Sequence, residues 1–465
     1  MGSVPPSPLP PSIKNQAARH AVALKADGAR ALIVRSASTS EGRSIACAIA
    51  EAVDRRALFI DAGAATAGIV PWIVLRELLP VFCLELAPGE RKSLPSLPFY
   101  TGPVLALCGP DGSVDFGGEP AGNWSIGTPP REERLALWNA AIGQPELAAE
   151  LAHHHRHGAG RIAHLGRLAR HRAALDGRSE ISPGDLLSAS WVGEGSGIEA
   201  LAQPLPDAVS DAALVTPPSL QQELDRLHMR CLARDGLADT LGISAATRYR
   251  PGVRALFTGP SGTGKTLAAG WLATRLRLPL YRVDLASITS KYIGETEKNL
   301  AQLMARAEQT EVVLLFDEAD SLFGRRTEIR EANDRFANAQ TNYLLQRIET
   351  FDGIAILTAN SRGRFDSAFA RRLDAVIEFP LPGPEQRRDI WQAHLGKQEG
   401  LTVADLNRLA VSADLNGGNI RNAVLAAAVL AQSANRTITF PDLVEGLANE
   451  YRKLGRQMPV ELLRT

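Results

Sequence analysis

Cysteine is scarce in this 465-residue chain: Cys47, Cys83, Cys108 and Cys231 are all there is, and no two form a CxxC pair. That spacing argues against a disulfide framework and fits reduced core thiols in a cytoplasmic protein. An excess of either charge is also missing, with 51 basic and 51 acidic residues. A neutral balance gives no general electrostatic pull toward nucleic acid or a membrane surface. Long apolar runs are missing too. The greasiest stretch, Gly68 to Ala87, is interrupted by Pro71, Arg76, Glu77 and Pro80, which excludes a bilayer span. The Pro-rich start, Val4 to Ser12, lacks the cationic flank and apolar centre of a signal peptide and reads as a disordered tail. No HExxH pair occurs, so any proteolysis would have to come from a partner.

What is present is size, apolar content and internal repetition. The length supports about two to four domains, and 45% apolar residues allow sizeable cores. Ala31-Leu32-Ile33-Val34-Arg35 resembles Val253-Arg254-Ala255-Leu256-Phe257, and Gly42-Arg43-Ser44 falls where Gly264-Lys265-Thr266 does. Leu58-Phe59-Ile60-Asp61 mirrors Tyr281-Arg282-Val283-Asp284. Pro129, Glu132, Arg134, Trp138, Ala140 and Gly143 then match Pro382, Glu385, Arg387, Trp391, Ala393 and Gly396 at one constant offset. Ile181 and Asp185-Leu186 mirror Ile438 and Asp442-Leu443. Preserved order with a drifting offset indicates tandem duplication with loop insertions. Each half alternates strands and helices first and ends in a helix-rich tail. The expected domains are a Pro-rich disordered tail (1–20), an α/β domain (21–130), a helical lid-like domain (131–192), a linker (193–218), a second α/β domain (219–382) and a second helical lid (383–465).

The second half carries chemistry. The strand Ala255-Leu256-Phe257 runs into Gly259-Pro260-Ser261-Gly262-Thr263-Gly264-Lys265-Thr266, and a helix opens at once. Strand, glycine loop and helix in that order form the phosphate-binding P-loop, GxxxxGK[ST]. Its glycines permit backbone shapes that turn N–H groups toward phosphate, with the helix N-terminus adding to the pull. Lys265 would reach the β- and γ-phosphates of ATP, and the Thr266 hydroxyl would bind Mg²⁺. Leu314-Leu315-Phe316-Asp317-Glu318 reads as a buried parallel strand ending in two carboxylates, at the edge where open α/β sheets bind ligands. Asp317 would hold Mg²⁺ through water, and Glu318 would orient the attacking water. A further apolar strand ends at Thr358-Ala359-Asn360, where the Asn360 amide could meet the γ-phosphate. Arg371 and Arg372 precede another strand. They could stabilise transition-state charge in trans, or form a solvated or salt-bridged pair.

From about residue 215 to 450, the P-loop, Asp317-Glu318, Asn360 and Arg371/Arg372 fall in the order and spacing of an AAA+ ATPase, and the chain resembles the branch of protein unfoldases and remodellers. The resemblance implies tandem α/β P-loop modules, each a parallel sheet with flanking helices and a small helical lid, the first degenerate. It also implies a five-stranded sheet in the active module, a lid after Pro382 and hexameric rings with ATP sites between subunits. Asn360 would be sensor 1, Arg371 and Arg372 the arginine-finger candidates and Arg421 a lid sensor 2 or a structural arginine. Lys291-Tyr292-Ile293-Gly294 precedes a helix with Leu300, Leu303, Met304 and Ala307 at helical spacing. In the family, an aromatic-apolar-Gly there lines a central pore, and an aromatic ring suits an undiscriminating grip on polypeptide. Phe323 to Arg335 offers a second pore loop, an intersubunit face or a plain solvated helix.

The first half lacks the equipment. At its P-loop position stands Ala37-Ser38-Thr39-Ser40-Glu41-Gly42-Arg43-Ser44, without the first glycine and with Arg for Lys. A broad guanidinium does not replace a compact ammonium in a tight cradle, Glu41 brings negative charge, and Leu86 stands where Glu318 does. No hydrolysis is expected there. The histidine run His153-His154-His155-Arg156-His157 has no nearby Cys or acidic ligand pattern, and consecutive residues on a helix point in different directions. It reads as a surface or helix-end run. The whole chain resembles bacterial ATPases with a degenerate N-terminal half, some encoded with phage-tail-like contractile injection systems. The resulting expectation is a homo-hexameric, ATP- and Mg²⁺-dependent remodeller of a protein client, in particle assembly or cargo loading. A nucleotide-gated scaffold and a nucleic-acid motor are the alternatives, the second disfavoured by neutral charge.

Overall fold

Short apolar strands build two parallel sheets in this computed structural model, which describes residues 7–26, 30–36, 38–61, 63, 68–86, 90–109, 112–191, 198–247, 249–284, 295–319, 343–361, 371–396 and 401–463. The chain divides into two compact units, Met1–Gln203 with Asp284–Val312, and Pro204–Val283 with Val313–Thr465.

In the first unit, β1 (Ala31–Arg35), β2 (Arg56–Asp61) and β3 (Leu78–Leu84) are followed by β4 (Arg91–Ser93), β5 (Val104–Cys108), β6 (Ser113–Asp115) and β7 (Ala121–Ser125). Five of these form one sheet in the order β2-β3-β5-β1-β7, every pair parallel, while β4 and β6 make a separate short ladder. Strands covered on both faces read as continuous apolar runs, and Leu79, Val81 and Leu105 are completely buried. Helices Pro11–Lys25 and Thr39–Ala52 share a core with these strands through Ile13, Ala17, Ile45 and Ile49. The expected disordered tail, 1–20, therefore does not describe residues 11–20, which belong to a helix. Pro11 sits at the first helical position, where its missing N–H costs nothing. Ile13, Ala17, Ala21 and Leu24 then bury one stripe. Among the thiols, Cys108 and Cys231 are buried, Cys83 is half-buried and Cys47 is exposed, so Cys47 is no core residue; all four are free.

β8 (Ala202–Pro204) leads into the second unit, where the Leu205 N–H donates to the Leu280 carbonyl at 2.9 Å. There β9 (Val253–Thr258), β10 (Leu280–Val283), β11 (Val313–Phe316), β12 (Ile354–Ala359) and β13 (Ala375–Glu378) lie in the order β13-β9-β12-β11-β10, all four pairs parallel. With β8 beside β10 the sheet has six strands, one more than the five expected. Matching β1 to β9, β2 to β10, β3 to β11, β5 to β12 and β7 to β13 makes the two strand orders identical. The first strand of each sheet thus lies between its fourth and its last. Its C-terminal end opens at a point where the connections diverge to both sides, which is where open α/β sheets hold ligands.

The helical tails repeat side chain by side chain. Helix Arg131–Ile142 and helix Pro384–Leu395 each bury one arginine and one tryptophan. Arg134 donates to the carbonyls of Pro129 and Ala152, both at 2.9 Å. Arg387 donates to those of Pro382 at 3.1 Å and Ala410 at 2.8 Å. A buried guanidinium is tolerated only when such acceptors replace water. Downstream, Arg178 holds Asp185 through both nitrogens at 2.8 Å, and Arg436 holds Asp442 in the same way. These arginines, with hydrogen bonds from Ser182 or Thr439, keep both carboxyls well below the usual carboxylate range. Trp391 lies fully buried in the second tail, among Leu395, Leu409, Ile420 and Ala423. Trp391→Ala should cost about 3–5 kcal/mol. The expected readout is faster hydrogen exchange across helices Pro384–Leu395 and Gly417–Ser433; unchanged exchange would show that the tail does not depend on this side chain.

Candidate functional site

The six residues of β9 are all buried, so the chain must emerge from the sheet abruptly. Gly259 makes the exit, with φ at 143°. A Cβ there would lie 2.1 Å from the Phe379 carbonyl oxygen, so no side chain fits. Gly262 has φ at 77°, and its absent Cβ would meet the Asn416 side-chain oxygen at 2.6 Å. The loop closes through the Thr263 hydroxyl, which donates to the Pro260 carbonyl at 2.9 Å. Helix Lys265–Leu276 starts at Gly264, and no side chain caps it. Its first N–H groups are therefore directed into the loop, with the positive end of the helix dipole behind them. The Lys265 ammonium lies under the loop and donates to the carbonyls of Gly259 at 2.7 Å and Pro260 at 2.9 Å. Pro260, Ser261, Gly262 and Thr266 are exposed.

Two neighbouring strand ends bring oxygen atoms to the loop. Asp317 follows β11, and the Thr266 hydroxyl lies 3.5 Å from both of its carboxylate oxygens. The Thr358 hydroxyl at the end of β12 donates to Asp317 at 2.5 Å and accepts from the Glu318 N–H at 3.0 Å. The Ala319 N–H then donates to the Thr358 carbonyl at 2.8 Å. One threonine therefore fixes the Asp317 carboxylate and the Glu318 backbone against the adjacent strand. Glu318 adopts the left-handed region at φ 52° and its side chain is exposed, so the turn separates it from the buried strand. A hydroxyl and a carboxylate converging beside a glycine loop suit Mg²⁺, which prefers hard oxygen ligands and keeps part of its water shell. The loop, Thr266 and Asp317 fit a magnesium–nucleotide complex.

The lid reaches the same loop. The Asn416 side-chain amide donates to the Ser261 carbonyl at 3.0 Å, and the Gly418 N–H donates to the Gly262 carbonyl at 3.1 Å. Asn416 also caps helix Gly417–Ser433 through the Asn419 N–H. The sequence reading missed both Asn416 and Thr358. A capping Asn before Gly-Gly was the local signal for the first; nothing local marks the second.

Asn360, Arg371 and Arg421 are exposed, and among the described residues none hydrogen-bonds to the glycine loop. Arg372 pairs with Glu349 at 3.0 Å on the surface. Arg421 lies on the lid helix near His394, whose basicity is lowered by burial and by that guanidinium. Lys291, Tyr292, Ile293 and Gly294 lie outside the described residues, as do residues 323–335.

The corresponding position in the first unit is built differently. Helix Thr39–Ala52 includes Glu41 and Gly42, and a Cβ on Gly42 would meet Leu107 at 2.3 Å. Glu41 is buried and accepts hydrogen bonds from the Ser36 hydroxyl at 3.2 Å and the Ala159 N–H at 3.1 Å. Burial pushes its pKa up against those hydrogen bonds. The Ser7 N–H donates to the Ser44 hydroxyl oxygen at 2.9 Å, and the Ser7 hydroxyl donates to that of Ser40 at 3.1 Å. The region facing the N-terminus of helix Ala159–Leu175 is thus occupied by the unit's own carboxylate and hydroxyls.

Residues 255–381 match the family model described as "ATPase family associated with various cellular activities (AAA)", and the chain carries an AAA ATPase domain there. The 26S proteasome regulatory subunit 6A of Saccharomyces cerevisiae is 32% identical over 205 residues, 42% of this chain and 47% of that protein. The 26S proteasome regulatory subunit 10B homolog A of Arabidopsis thaliana is 30% identical over 222 residues, 46% of this chain and 54% of that protein. The proteasome-activating nucleotidase of Methanocella arvoryzae is 31% identical over 191 residues, 39% and 46% of the two chains. The chain spans about half the length of these relatives. Among the described residues, no helix is long and apolar enough to cross a membrane.

Thr358 yields a direct test. Thr358→Val keeps the shape but removes the donor to Asp317, and a carboxylate deprived of such a partner loses about 1–3 kcal/mol. Titration with a fluorescent ATP analogue should show about a tenfold weaker magnesium-dependent affinity, with Thr358→Ser close to wild type. Equal affinity in all three proteins would mean that Thr358 does not set the carboxylate.

Proposed function

We propose that the second unit binds and hydrolyses Mg²⁺-ATP, and that the chain works as a homo-hexameric ring that remodels, unfolds or assembles a protein client. The reading rests chiefly on one observation: a glycine loop at an uncapped helix N-terminus, with Thr266 and Asp317 converging beside it. In this mechanism the loop amides and Lys265 hold the phosphates. Lys265 exchanges its two loop carbonyls for β- and γ-phosphate oxygens. Thr266 would hold Mg²⁺ directly and Asp317 would hold it through water, and the chemistry the ion would supply is an offset to charge developing on the transferred phosphoryl group. Glu318 orients the attacking water and Asn360 contacts the γ-phosphate.

Arg371 and Arg372 act on the site of the neighbouring protomer. The exposed Arg372–Glu349 pair is of the kind worth about 0–1 kcal/mol, so it can be exchanged for a phosphate at little cost. Asn416 and Gly418 carry loop movements into the lid, where Arg421 lies. Tyr292, within Lys291-Tyr292-Ile293-Gly294, grips the client in the central pore. The first unit serves as a scaffold that binds no nucleotide, a reading supported by Glu41 and Ser44, at the sequence position of the glycine loop, being bonded to Ala159 and Ser7. Relatives named as proteasome regulatory subunits and as a proteasome-activating nucleotidase support a protein client. A role in assembling or loading contractile injection particles rests on the sequence resemblance alone.

Glu318→Gln should retain ATP binding, lose about 100-fold or more in turnover and trap client for identification by mass spectrometry. Arg371→Ala and Arg372→Ala chains should regain activity when mixed with Glu318→Gln chains. Near-normal turnover by Glu318→Gln would remove its role, and absence of any rescue would remove the shared site.

A further inference from the structure

The first unit buries a carboxylate in an adverse place. Glu311 follows helix Glu295–Thr310 directly and takes the left-handed conformation at φ 53°. That position usually belongs to glycine or asparagine. It also lies at the negative end of the helix dipole, which repels a carboxylate. The side chain is only 6% exposed. The Arg156 N–H donates to both carboxylate oxygens, at 3.0 and 2.9 Å.

Two imidazoles face this carboxylate. His155 Nδ1 lies 3.7 Å and His157 Nδ1 3.1 Å from the same Glu311 oxygen, and the two side chains are 8% and 5% exposed. His155 Nδ1 has no hydrogen-bond partner among the described residues. The run does stand at a helix end, as expected, but the expectation of a surface position is wrong for these two residues. Helix Pro145–His154 stops before them and His155 is extended, so residues two apart share a side. The rings stack in parallel, 2° apart in plane with centroids at 5.3 Å, and His157 also packs on Trp138.

The second unit shows what these positions hold when no polar group is needed. Helix Ala159–Leu175 and helix Gly417–Ser433 are both 17 residues long. Two and four residues before the first stand His157 and His155; before the second stand Leu415 and Ala413, both inside the apolar core of the lid. Two core positions thus carry imidazoles only in the unit that supplies a buried carboxylate.

We infer that His155, His157 and Glu311 form a binding site for a divalent transition-metal cation of the zinc class, separate from the magnesium–nucleotide site. Imidazole nitrogen and carboxylate oxygen are ordinary zinc ligands, and three protein ligands leave one coordination position for water. The three ligand atoms lie within 4.8 Å of one another. Bonds of about 2.0–2.1 Å need ligand atoms no more than about 4 Å apart, so a modest ring rotation completes the site. The cation would also neutralise the buried carboxylate. The inference does not depend on ATP hydrolysis.

The test uses the untagged full chain, stripped with a chelator, then loaded with micromolar zinc in excess magnesium and desalted. Elemental analysis should find one zinc per chain, zinc should raise the melting temperature, and cobalt should give visible d–d absorption. The double variant His155→Ala/His157→Leu, which installs the second unit's residues, should lose all three signals, and Glu311→Gln should lose them independently. His153→Ala/His154→Ala should keep them. Failure of the wild-type chain to retain zinc would overturn the assignment. Equal loading of the double variant or of Glu311→Gln would overturn it too, as would loss in the His153/His154 variant.

Discussion

At Gly259 the backbone passes so close to the Phe379 carbonyl that a single methyl group would collide with it. The rest of the site depends on that approach. It lets a fully buried central strand turn out of the sheet in one residue. The turn sets the helix N-terminus over the strand ends and brings Thr266 beside Asp317. Polar atoms collect there because parallel strands, satisfied along their lengths and buried on both faces, leave only their ends for chemistry.

The helical tails show the same economy in a different material. In each, one buried arginine ties two carbonyls that are distant in sequence, and one buried tryptophan fills the space beneath. Such an arginine is costly to desolvate, and in both units backbone carbonyls replace part of the water it loses. The N-terminus of each unit's 17-residue helix then faces the loop after the first strand. In the second unit it meets the glycine loop through Asn416 and Gly418. In the first it meets Glu41. One architecture has been kept while the group at its most polar point has changed.

The α/β class and the tandem parallel sheets were legible because their signals are local: apolar runs, a glycine loop between strand and helix, and carboxylates at a strand end. What could not be read was held by distant partners. Thr358 acts on Asp317 across two strands, and its residue type alone says nothing of that. Asn416 acts on Ser261, 155 residues away in sequence. Helix Pro11–Lys25 was hidden by the prolines that open the chain, which colour the composition without breaking a helix that begins at Pro11. The histidines were misjudged because no acidic ligand pattern lies near them in sequence. The break after His154 turned two of them inward, toward a glutamate more than 150 residues away in sequence.

The central claim is that one loop per chain, the one around Lys265, does the chemistry. Steady-state phosphate release from Mg²⁺-ATP by the purified chain tests it most directly, comparing Lys265→Ala in the second unit with Arg43→Ala at the matching place in the first. The account predicts that Lys265→Ala abolishes release and Arg43→Ala leaves it unchanged. Release that survives in Lys265→Ala, or that vanishes in Arg43→Ala, would contradict it.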